Sequence, residues 1–393
     1  MRYTIGELAE IIDGDRGKNY PQQHEFLDEG YCLFLNTGNV TSSGFSFESN
    51  QYISKEKCDL LRKGKLQRRD IVYTTRGTVG NAAFYGDTVP YDHIRINSGM
   101  VIIRPNEDVV CTEFLYQILK SDYYRPYFKK YCTGSAQPQL PIKNFSTIEL
   151  DLPALGIQWK IADILCSYDD LIENNQKQIK LLEEAAQRLY TEWLVDLRFP
   201  GHETTPITDG IPEGWKKERL IDIVKVQYGY AFDGSLFNAN GNGTPIVRIR
   251  NIPAGTTADY TIEDADPQYV VHNGDILVGM DGEFHINSWS GPDAYLVQRT
   301  CSFRPSNPNM KGYLLQAIYE PIKYFESTVV GATVAHLGKK HIDTITVITC
   351  PDELYVPFQQ YFERRQLLLN QNRLLAESRD RLLPKLMNGE IEV

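Results

Sequence analysis

Residues 157–198 read IQWKIADILCSYDDLIENNQKQIKLLEEAAQRLYTEWLVDLR, and no proline or glycine interrupts the chain between Gly156 and Pro200. Apolar side chains recur at alternating steps of three and four residues, which predicts a long helix with a heptad seam of about four and a half repeats. Such a narrow stripe forms no core alone, so another helix must cover it. The seam positions are Ile161, Leu165, Tyr168, Ile172, Asn175, Ile179, Leu182, Ala186, Leu189 and Trp193.

A second heptad stretch runs from Leu354 to about Leu386 and is the predicted partner. Its seam positions are Phe358, Tyr361, Arg365, Leu368, Asn372, Leu375, Arg379, Leu382 and Leu386. In an antiparallel pair, facing residue numbers have a constant sum. The sum 175 + 372 = 547 sets Asn175 opposite Asn372, where a buried amide pair would penalise slips in register.

The same sum pairs apolar residues along most of the seam: Ile161 with Leu386, Leu165 with Leu382, Ile172 with Leu375, Ile179 with Leu368, Ala186 with Tyr361, Leu189 with Phe358 and Trp193 with Leu354. Arg379 would face Tyr168, and Arg365 would face Leu182. We expect each arginine to lay its stem along the seam and keep its head in water. The alternative is that the two helices pack on separate domains.

Composition indicates an ordinary globular protein of two or three domains, because 42% of its 393 residues are apolar and 23% are charged. The start MRYTIGELAEII does not resemble a signal peptide, and no apolar run is long enough for a membrane span. We therefore expect a cytoplasmic protein without a membrane partner. The seven cysteines are scattered and form no C-x-x-C, which indicates neither a disulfide framework nor a zinc site. A net charge of −10 means that any nucleic-acid binding must use local basic patches.

The chain contains a tandem repeat. Segments of the first half match the second half in order, and the offset falls from 212 to 193 as loop lengths change. The matching starts are Leu8 with Leu220, Phe34 with Ile246, Arg69 with Gly274, Arg104 with Arg304, Thr133 with Val330 and Leu182 with Leu375.

Each half therefore consists of a globular module followed by a long helix. Short β-branched runs such as Asp70–Tyr73 and Ile246–Ile249 predict strands, and Glu113–Lys120 and Tyr313–Phe325 predict helices. The predicted fold class is α+β (mixed α/β), with two modules alternating with two long helices that form an antiparallel coiled coil. The predicted segments are 1–155, 156–200, 201–351 and 352–393.

No catalytic signature is present: the sequence lacks a phosphate-binding G-x-x-x-x-G-K-[ST], a G-x-S-x-G and an H-E-x-x-H. We therefore predict a non-catalytic chain with no metal site. An enzyme with an unfamiliar site remains an alternative, and it would require activity from the purified chain alone.

The first module has a basic run at residues 55–69, which is either a track for DNA phosphates or a solvated charged face. The tyrosine-rich segment from Lys120 to Tyr131 suits stacking, but it suits an amphipathic helix with a tyrosine core face better. The loops Thr74–Asn81 and Ser135–Gln139 differ from their counterparts in the second half and are candidates for base contact. The candidate residues are Asn36, Asn39, Arg68, Arg69, Thr75, Arg76, Asn81, Ser135, Gln137, Gln139 and Lys143.

The second module has no Lys or Arg between Asn251 and Gln298 but eight acidic residues, which argues against uniform clamping of phosphates in this span. Base-edge reading by Asn, Asp and Arg remains open. Arg248 and Arg250 lie in a β-rich run, where guanine contacts could be placed. The corresponding loops here are Gly279–Asn287 and Thr333–His336. The candidates are Arg248, Arg250, Asn251, Asp281, His285, Asn287, Thr333, His336, Lys339 and Lys340.

These features together resemble the specificity subunits of type I restriction-modification enzymes over essentially the whole chain. The most specific segments are the IPEGW at 211–215 and the closing RDRLLPKLMNGEI at 379–391. The GDIL at 274–277 and the RDIV at 69–72 are also similar to the family framework. One departure is that Gln158 and Gln359 lack the glutamate that usually precedes this glutamine.

The resemblance implies two target recognition domains, each binding one half of a split sequence in double-stranded DNA, with helices that set the spacer length. It also implies two methyltransferase (modification) subunits as partners, and motor-nuclease (restriction) subunits for cleavage. The chain itself would then bind no cofactor, and S-adenosylmethionine, ATP and magnesium would belong to the partner subunits. The competing interpretation is a coiled-coil scaffold whose two modules bind proteins and not DNA.

Overall fold

The structure, a computed structural model, describes residues 1–134, 137–328 and 335–393. The chain forms two compact units. The first contains Met1–Asp170 and Ala376–Val393, and the second contains Leu171–Leu375. Each unit therefore combines one globular module with parts of both long helices.

The first module is built on a four-stranded antiparallel sheet in the order Ala9–Asp13, Met100–Pro105, Ile71–Thr74 and Ala82–Phe84. A smaller sheet places Cys32–Leu35 between Tyr52–Ile53 and Ile94–Ile96, the latter parallel to it. Two further strand pairs are Arg2–Thr4 with Glu149–Asp151 and Val40–Thr41 with Gly44–Phe45. The helices are Ile5–Leu8, Lys55–Leu60, Thr112–Lys120, Arg125–Lys129 and Ile142–Ser146, with 3-10 turns at Gln23–Glu25 and Thr37–Asn39.

The second module has the same four-stranded antiparallel sheet, in the order Val224–Tyr228, Thr300–Pro305, Ile276–Gly279 and Ile286–Ser288. Its other main sheet has five strands, Phe237–Asn238, Tyr260–Thr261, Thr244–Val247, Ala294–Leu296 and Val270–Val271. Two strand pairs are Ile207–Thr208 with Ile211–Pro212 and Lys216–Arg219 with Thr346–Thr349. The helices are Leu220–Ile223, Lys311–Ala317, Tyr319–Thr328 and Lys339–Ile342, with 3-10 turns at Gly234–Leu236, Ile249–Asn251, Pro267–Tyr269, Pro308–Met310 and Asp352–Tyr355.

A buried ion pair recurs in both modules and supports the predicted repeat. Asp70 is 1% exposed and accepts two 2.9 Å hydrogen bonds from Arg104. Asp275 is 6% exposed and accepts bonds of 3.0 and 2.8 Å from Arg304. A buried carboxylate requires such a partner, so each pair fixes the start of one strand against its neighbour.

The central helix spans Leu155–Tyr190 and continues as one π-helical turn at Thr191–Val195. The prediction extended it to Arg198, which is too far. The C-terminal helix spans Val356–Met387. Gln158, near the start of the central helix, is 2% exposed; it accepts from the Cys111 backbone N–H and donates to the Pro153 carbonyl, both at 3.0 Å.

Within the second unit the two helices pair antiparallel. Asn175 Nδ2 donates to Asn372 Oδ1 at 2.9 Å, which is the pair predicted from the constant residue sum. Arg365 contacts Glu183, so the residue number falls on one helix as it rises on the other. Within the first unit, Arg379 contacts Asp169 in the same sense.

The predicted seam residues are all buried or half-buried, as a covered seam requires. They are Ile161, Leu165, Ile172, Asn175, Ile179, Leu182, Ala186, Leu189, Tyr361, Leu368, Asn372, Leu375, Leu382 and Leu386. Ile161, Leu165 and Leu386 join the apolar core of the first module. Phe358 joins the core of the second module.

The prediction for Arg365 was wrong. Its head does not remain in water: the residue is 9% exposed, and its guanidinium donates to Ser288 Oγ at 2.7 Å and Asn287 Oδ1 at 2.8 Å. It also donates to Glu183 at 2.6 Å. The second module supplies these acceptors, so Arg365 ties that module to both helices.

The head of Arg379 is also largely buried, with 19% of the side chain exposed. Its guanidinium lies 2.6 Å from Asp169, which also accepts 2.5 and 2.6 Å hydrogen bonds from Lys120 and Gln117 of the first module. Burial alone would raise the pKa of Asp169, but the two cations overcome this effect and lower it below its usual value.

Among the described residues, no helix has the length and apolar character to cross a bilayer.

Candidate nucleic-acid interface

Three segments of the first module meet at one junction. The loop after strand Ile71–Thr74 is held by a hydrogen bond from Thr75 N–H to the Gly99 carbonyl at 2.9 Å. Leu140 N–H donates to the Thr75 carbonyl at 3.0 Å and brings in the segment from 137 to 140. Arg76, Gln137 and Gln139 are exposed here, while Thr75 is 4% exposed and part of the framework.

The polar residues behind this junction support it and do not face outward. Asn39 is 3% exposed and donates to the carbonyls of Ser46 and Ser49, while its Oδ1 accepts from Asn36 N–H. Asn36 caps the Thr37–Asn39 turn by accepting from Gly38 N–H. Asn81 donates to the Val40 carbonyl at 2.9 Å. The side-chain NH2 groups of Asn39 and Asn81 are thus bonded to backbone carbonyls, and Asn36 uses its side-chain oxygen as a turn cap, whereas the prediction had all three contact bases.

The basic run at 55–69 is largely neutralised within the module. Lys55 pairs with Asp59, and Lys57 pairs with Glu25. Arg68 donates to the carbonyls of Gly86 and Val89 and lies over the Tyr85 ring, and Arg69 is paired with Glu107 and Glu113. Arg68 and Arg69, predicted to contact DNA, are therefore engaged in contacts within the module.

Three cations of that run are left for a ligand. Arg62, Lys63 and Lys65 are exposed, and none of them forms an ion pair with another described residue. Lys143 is exposed on the short helix Ile142–Ser146. Ser135 lies outside the described residues. The tyrosine-rich segment packs Phe128, Tyr124 and Tyr127 on the core, which favours the amphipathic interpretation.

The second module builds the same junction with different side chains. Met280 N–H donates to the Arg299 carbonyl at 2.9 Å, and Leu337 N–H donates to the Met280 carbonyl at 2.8 Å. These bonds correspond to those of Thr75, Gly99 and Leu140. Asp281, Arg299 and His336 project here and form what we call the second-module junction: Asp281 lies 2.5 Å from His336 and 3.4 Å from Arg299.

The other candidates of the second module are divided between exposed and structural positions. Lys339 and Lys340 are exposed at the start of helix Lys339–Ile342, and His285 is half-buried with its Nδ1 3.5 Å from Glu283. Asn287 donates to the carbonyls of Ile252 and Pro253 and accepts from Arg365, so it serves the helix contact. Thr333 lies outside the described residues.

The predicted strand at Ile246–Ile249 ends earlier, at Val247, and a 3-10 turn follows at Ile249–Asn251. Arg248 precedes this turn, with its guanidinium 5.6 Å from the centre of the Phe237 ring, and Asn251 caps it by accepting from Arg248 N–H. Arg250 is paired with Asp259 at 2.5 Å. Burial would raise the pKa of Asp259, but hydrogen bonds from Arg250 and Asn251 lower it. The arginines are therefore on a turn, not on a strand.

Sequence reasoning missed Arg299. The signal was available in the repeat, because the offset of 200 that aligns Arg104 with Arg304 also aligns Gly99 with Arg299. Among the described residues, no group of three or more His, Cys, Asp or Glu side chains is arranged to hold a metal ion.

The comparisons with known proteins agree with this architecture. A family model described as the type I restriction modification DNA specificity domain matches residues 1–184 and again residues 212–374. The chain is 29% identical over 347 residues to the specificity subunit of the type I restriction enzyme MjaIX of Methanocaldococcus jannaschii, covering 82% of this chain and 78% of that protein.

It is 24% identical to the HindI specificity subunit of Haemophilus influenzae, with 98% of this chain and all of that protein covered. In fold it is similar to the crystal structure of the type I S subunit of M. genitalium, with a TM-score of 0.52, 16% identity, and coverage of 98% of this chain and 96% of that one. The chain therefore belongs to the family of type I restriction-modification specificity subunits.

Proposed function

We propose that each module of this chain reads one half of an asymmetric, two-part DNA target on behalf of a type I restriction-modification complex. Specificity subunits are non-catalytic, and the catalytic activities lie in separate subunits. The proposal goes beyond family membership in two respects: it says that the two modules read different half-sites, and it names the residues that read them.

The observation that carries the proposal is one framework with different side chains at equivalent places. Matched backbone hydrogen bonds build the junction in each module. The first presents Arg76, Gly99 and Gln139, and the second presents Asp281, Arg299 and His336. Arginine suits guanine, glutamine suits adenine, and a carboxylate accepts from cytosine N4. Two equal scaffolds with unlike polar groups would read unlike half-sites.

Charge favours contacts with DNA at specific places and not along a continuous track. Because the chain has a net charge of −10, non-specific attraction to DNA is weak over most of its surface. The exposed cations Arg62, Lys63, Lys65 and Lys143 in the first module are available to phosphates. Lys339 and Lys340 play that part in the second. Such contacts fix position, and the junction side chains supply the sequence preference.

The long helices are proposed to set the gap between half-sites and to dock two methyltransferase subunits, with motor-nuclease subunits joining for cleavage. S-adenosylmethionine, ATP and magnesium would act in those partners, and this chain would hold none of them. The assembled complex would act on double-stranded DNA in the cytoplasm.

A protein-binding scaffold is the second candidate, because exposed leucines such as Leu171, Leu181, Leu367 and Leu374 on the helices are compatible with protein contacts alone. The two candidates differ in salt dependence. DNA reading with several phosphate contacts requires affinity to fall steeply between 50 and 200 mM salt, by about a thousandfold for six contacts. A scaffold binds no DNA in a salt-sensitive way.

Exchange of one module tests the proposal. Residues 1–155 are replaced with the corresponding module of a family member, the hybrid is expressed with its modification subunits, and methylated adenines are mapped across the genome. One half of the methylated sequence is expected to change, while the other half and the gap stay the same. The matched control exchanges residues 201–351 and should change the opposite half. An unchanged motif, or changes in both halves, would contradict the modular reading.

A further inference from the structure

The second-module junction contains an arginine whose surroundings are arranged to present it. Arg299 follows directly after the buried Val297 and exposed Gln298, and its backbone adopts a left-handed conformation with φ of 69°. This region is uncommon for residues other than glycine, and it persists only where surrounding contacts impose it. The Met280 N–H bond to the Arg299 carbonyl is one such contact.

The carboxylate of Asp281 anchors one side of the guanidinium. Its Oδ2 lies 3.4 Å from Arg299 Nε, and its Oδ1 lies 2.5 Å from His336 Nδ1. Arg299 Nη1 also lies 3.2 Å from the same His336 nitrogen. The side chain of Arg299 is nevertheless 55% exposed, so the guanidinium is held at its base and open at its end.

His336 Nδ1 faces both Asp281 Oδ1 and Arg299 Nη1, and one ring nitrogen cannot both donate to the carboxylate and accept from the guanidinium. His336 therefore takes up at most one of the four N–H donors that Nη1 and Nη2 carry. No other acceptor among the described residues is bonded to Nη1 or Nη2 of Arg299. The planar end of the guanidinium keeps its donors for a ligand.

The first module explains why this arginine is found at a different position there. A Cβ atom at Gly99, the counterpart of Arg299, would lie 2.7 Å from Thr37 Cγ2, so that place has no room for a side chain. The exposed arginine of the first-module junction is Arg76, the counterpart of Asp281. Each junction thus has one open arginine, but it stands on a different strand or loop.

We propose that Arg299, positioned by Asp281, which His336 holds in turn, is a specificity-determining residue that donates two hydrogen bonds to O6 and N7 of a guanine in the half-site read by the second module. The inference rests on the proposed function and makes it specific: this half-site contains a required guanine. Guanidinium to guanine is the bidentate match that discriminates most sharply in the major groove. Losing it should cost roughly 5- to 150-fold in preference for that base pair.

The test begins with the unaltered protein. After the methylated motif is mapped, binding of the complex of this chain with its modification subunits is measured by fluorescence anisotropy. Each guanine of the second half-site is replaced in turn by 7-deazaguanine, which lacks the N7 acceptor. One position is expected to lose about tenfold or more in affinity. A second half-site without guanine, or one in which no 7-deazaguanine weakens binding, overturns the inference.

Two variants then assign the contact. Arg299→Gln removes the charge and the fork, and Arg299→Lys keeps the charge but not the bidentate geometry. Arg299→Gln should lose the penalty at that guanine and accept other bases there, and Arg299→Lys should keep only part of the penalty, since lysine can donate to guanine without the planar fork. The first half-site and the gap should remain as in the parent protein. Arg219→Gln is the matched control, because Arg219 is an exposed arginine of the same module paired with Asp222; it should keep the full penalty.

The possible failures are distinguishable. If both Arg299 variants retain the parent penalty at every guanine, or if they lose all binding including that to the first half-site, the assignment of Arg299 is wrong while the modular function stands. If the unaltered complex shows no two-part methylation that depends on this chain, the proposed function itself fails.

Discussion

Removal of the charged head of Arg365 should loosen the second module from the helices. Arg365→Met keeps most of the apolar stem but deletes the guanidinium. The variant loses the hydrogen bond to the fully buried Ser288, which is 2.7 Å long, and the one to the half-buried Asn287, which is 2.8 Å long. Each charged hydrogen bond contributes about 1.5–3 kcal/mol, and relief of the desolvation of the guanidinium offsets part of the sum. We expect a loss of about 2–4 kcal/mol.

Arg364 supplies the matched control. It is an exposed arginine on the same helix and donates to Gln178 at 3.4 Å. Water can take over the hydrogen bonds of an exposed guanidinium, so Arg364→Met should cost under about 1 kcal/mol. The comparison separates the buried contacts with the module from an exposed contact between the helices.

Native-state hydrogen exchange followed by mass spectrometry is the suitable assay, because a chain with two compact units need not unfold in one step. Peptides covering residues 273–290 should exchange roughly 30- to 900-fold faster in Arg365→Met, which is the expected free energy expressed as a rate. Exchange within threefold of the parent protein, or an equal effect of Arg364→Met, would refute the reasoning.

Three further changes have defined outcomes. Asn372→Leu strands the buried Asn175 amide and should cost about 1–3 kcal/mol in chemical unfolding, whereas adding Asn175→Leu should recover the loss; no recovery would contradict the pairing. Asp169→Asn leaves Lys120 and Arg379 without their carboxylate and should cost about 3–5 kcal/mol at pH 7. Since the folded-state pKa of Asp169 is lowered, its contribution to stability is full above about pH 4 and is lost as pH falls through that pKa. The unfolding curves of parent and variant should therefore converge in acid. A stability difference that is independent of pH would be evidence against the ion pair. Insertion of one heptad in both helices adds about 10 Å and should lengthen the methylated gap by about three base pairs with both half-sites unchanged; altered half-sites with an unaltered gap would count against a helical spacer.

The helix pairing could be predicted from the sequence because it depends on a local period. Heptad spacing requires no knowledge of the rest of the fold, and two asparagines on two seams fix the register. The environment of Arg365 could not be predicted in the same way. Its acceptors, Ser288 and Asn287, lie 77 and 78 residues away and meet it only when the second module is folded.

The individual site residues were less predictable than the repeat. Asn39 and Asn287 have the chemistry of base-reading residues, but their amides are used up by nearby carbonyls, which residue type alone does not reveal. Arg299 lies outside the loops predicted to contact bases. A position-by-position comparison of the two halves, with Gly99 against Arg299, singles it out.

The most direct measurement is a genome-wide map of methylated bases in the host with and without this chain, the modification subunits being present in both. A duplicated reader on paired helices predicts a motif of two unlike parts separated by a gap of fixed length, and the motif should vanish when the chain is removed. A palindromic or uninterrupted motif, or a map that does not depend on the chain, would contradict the account.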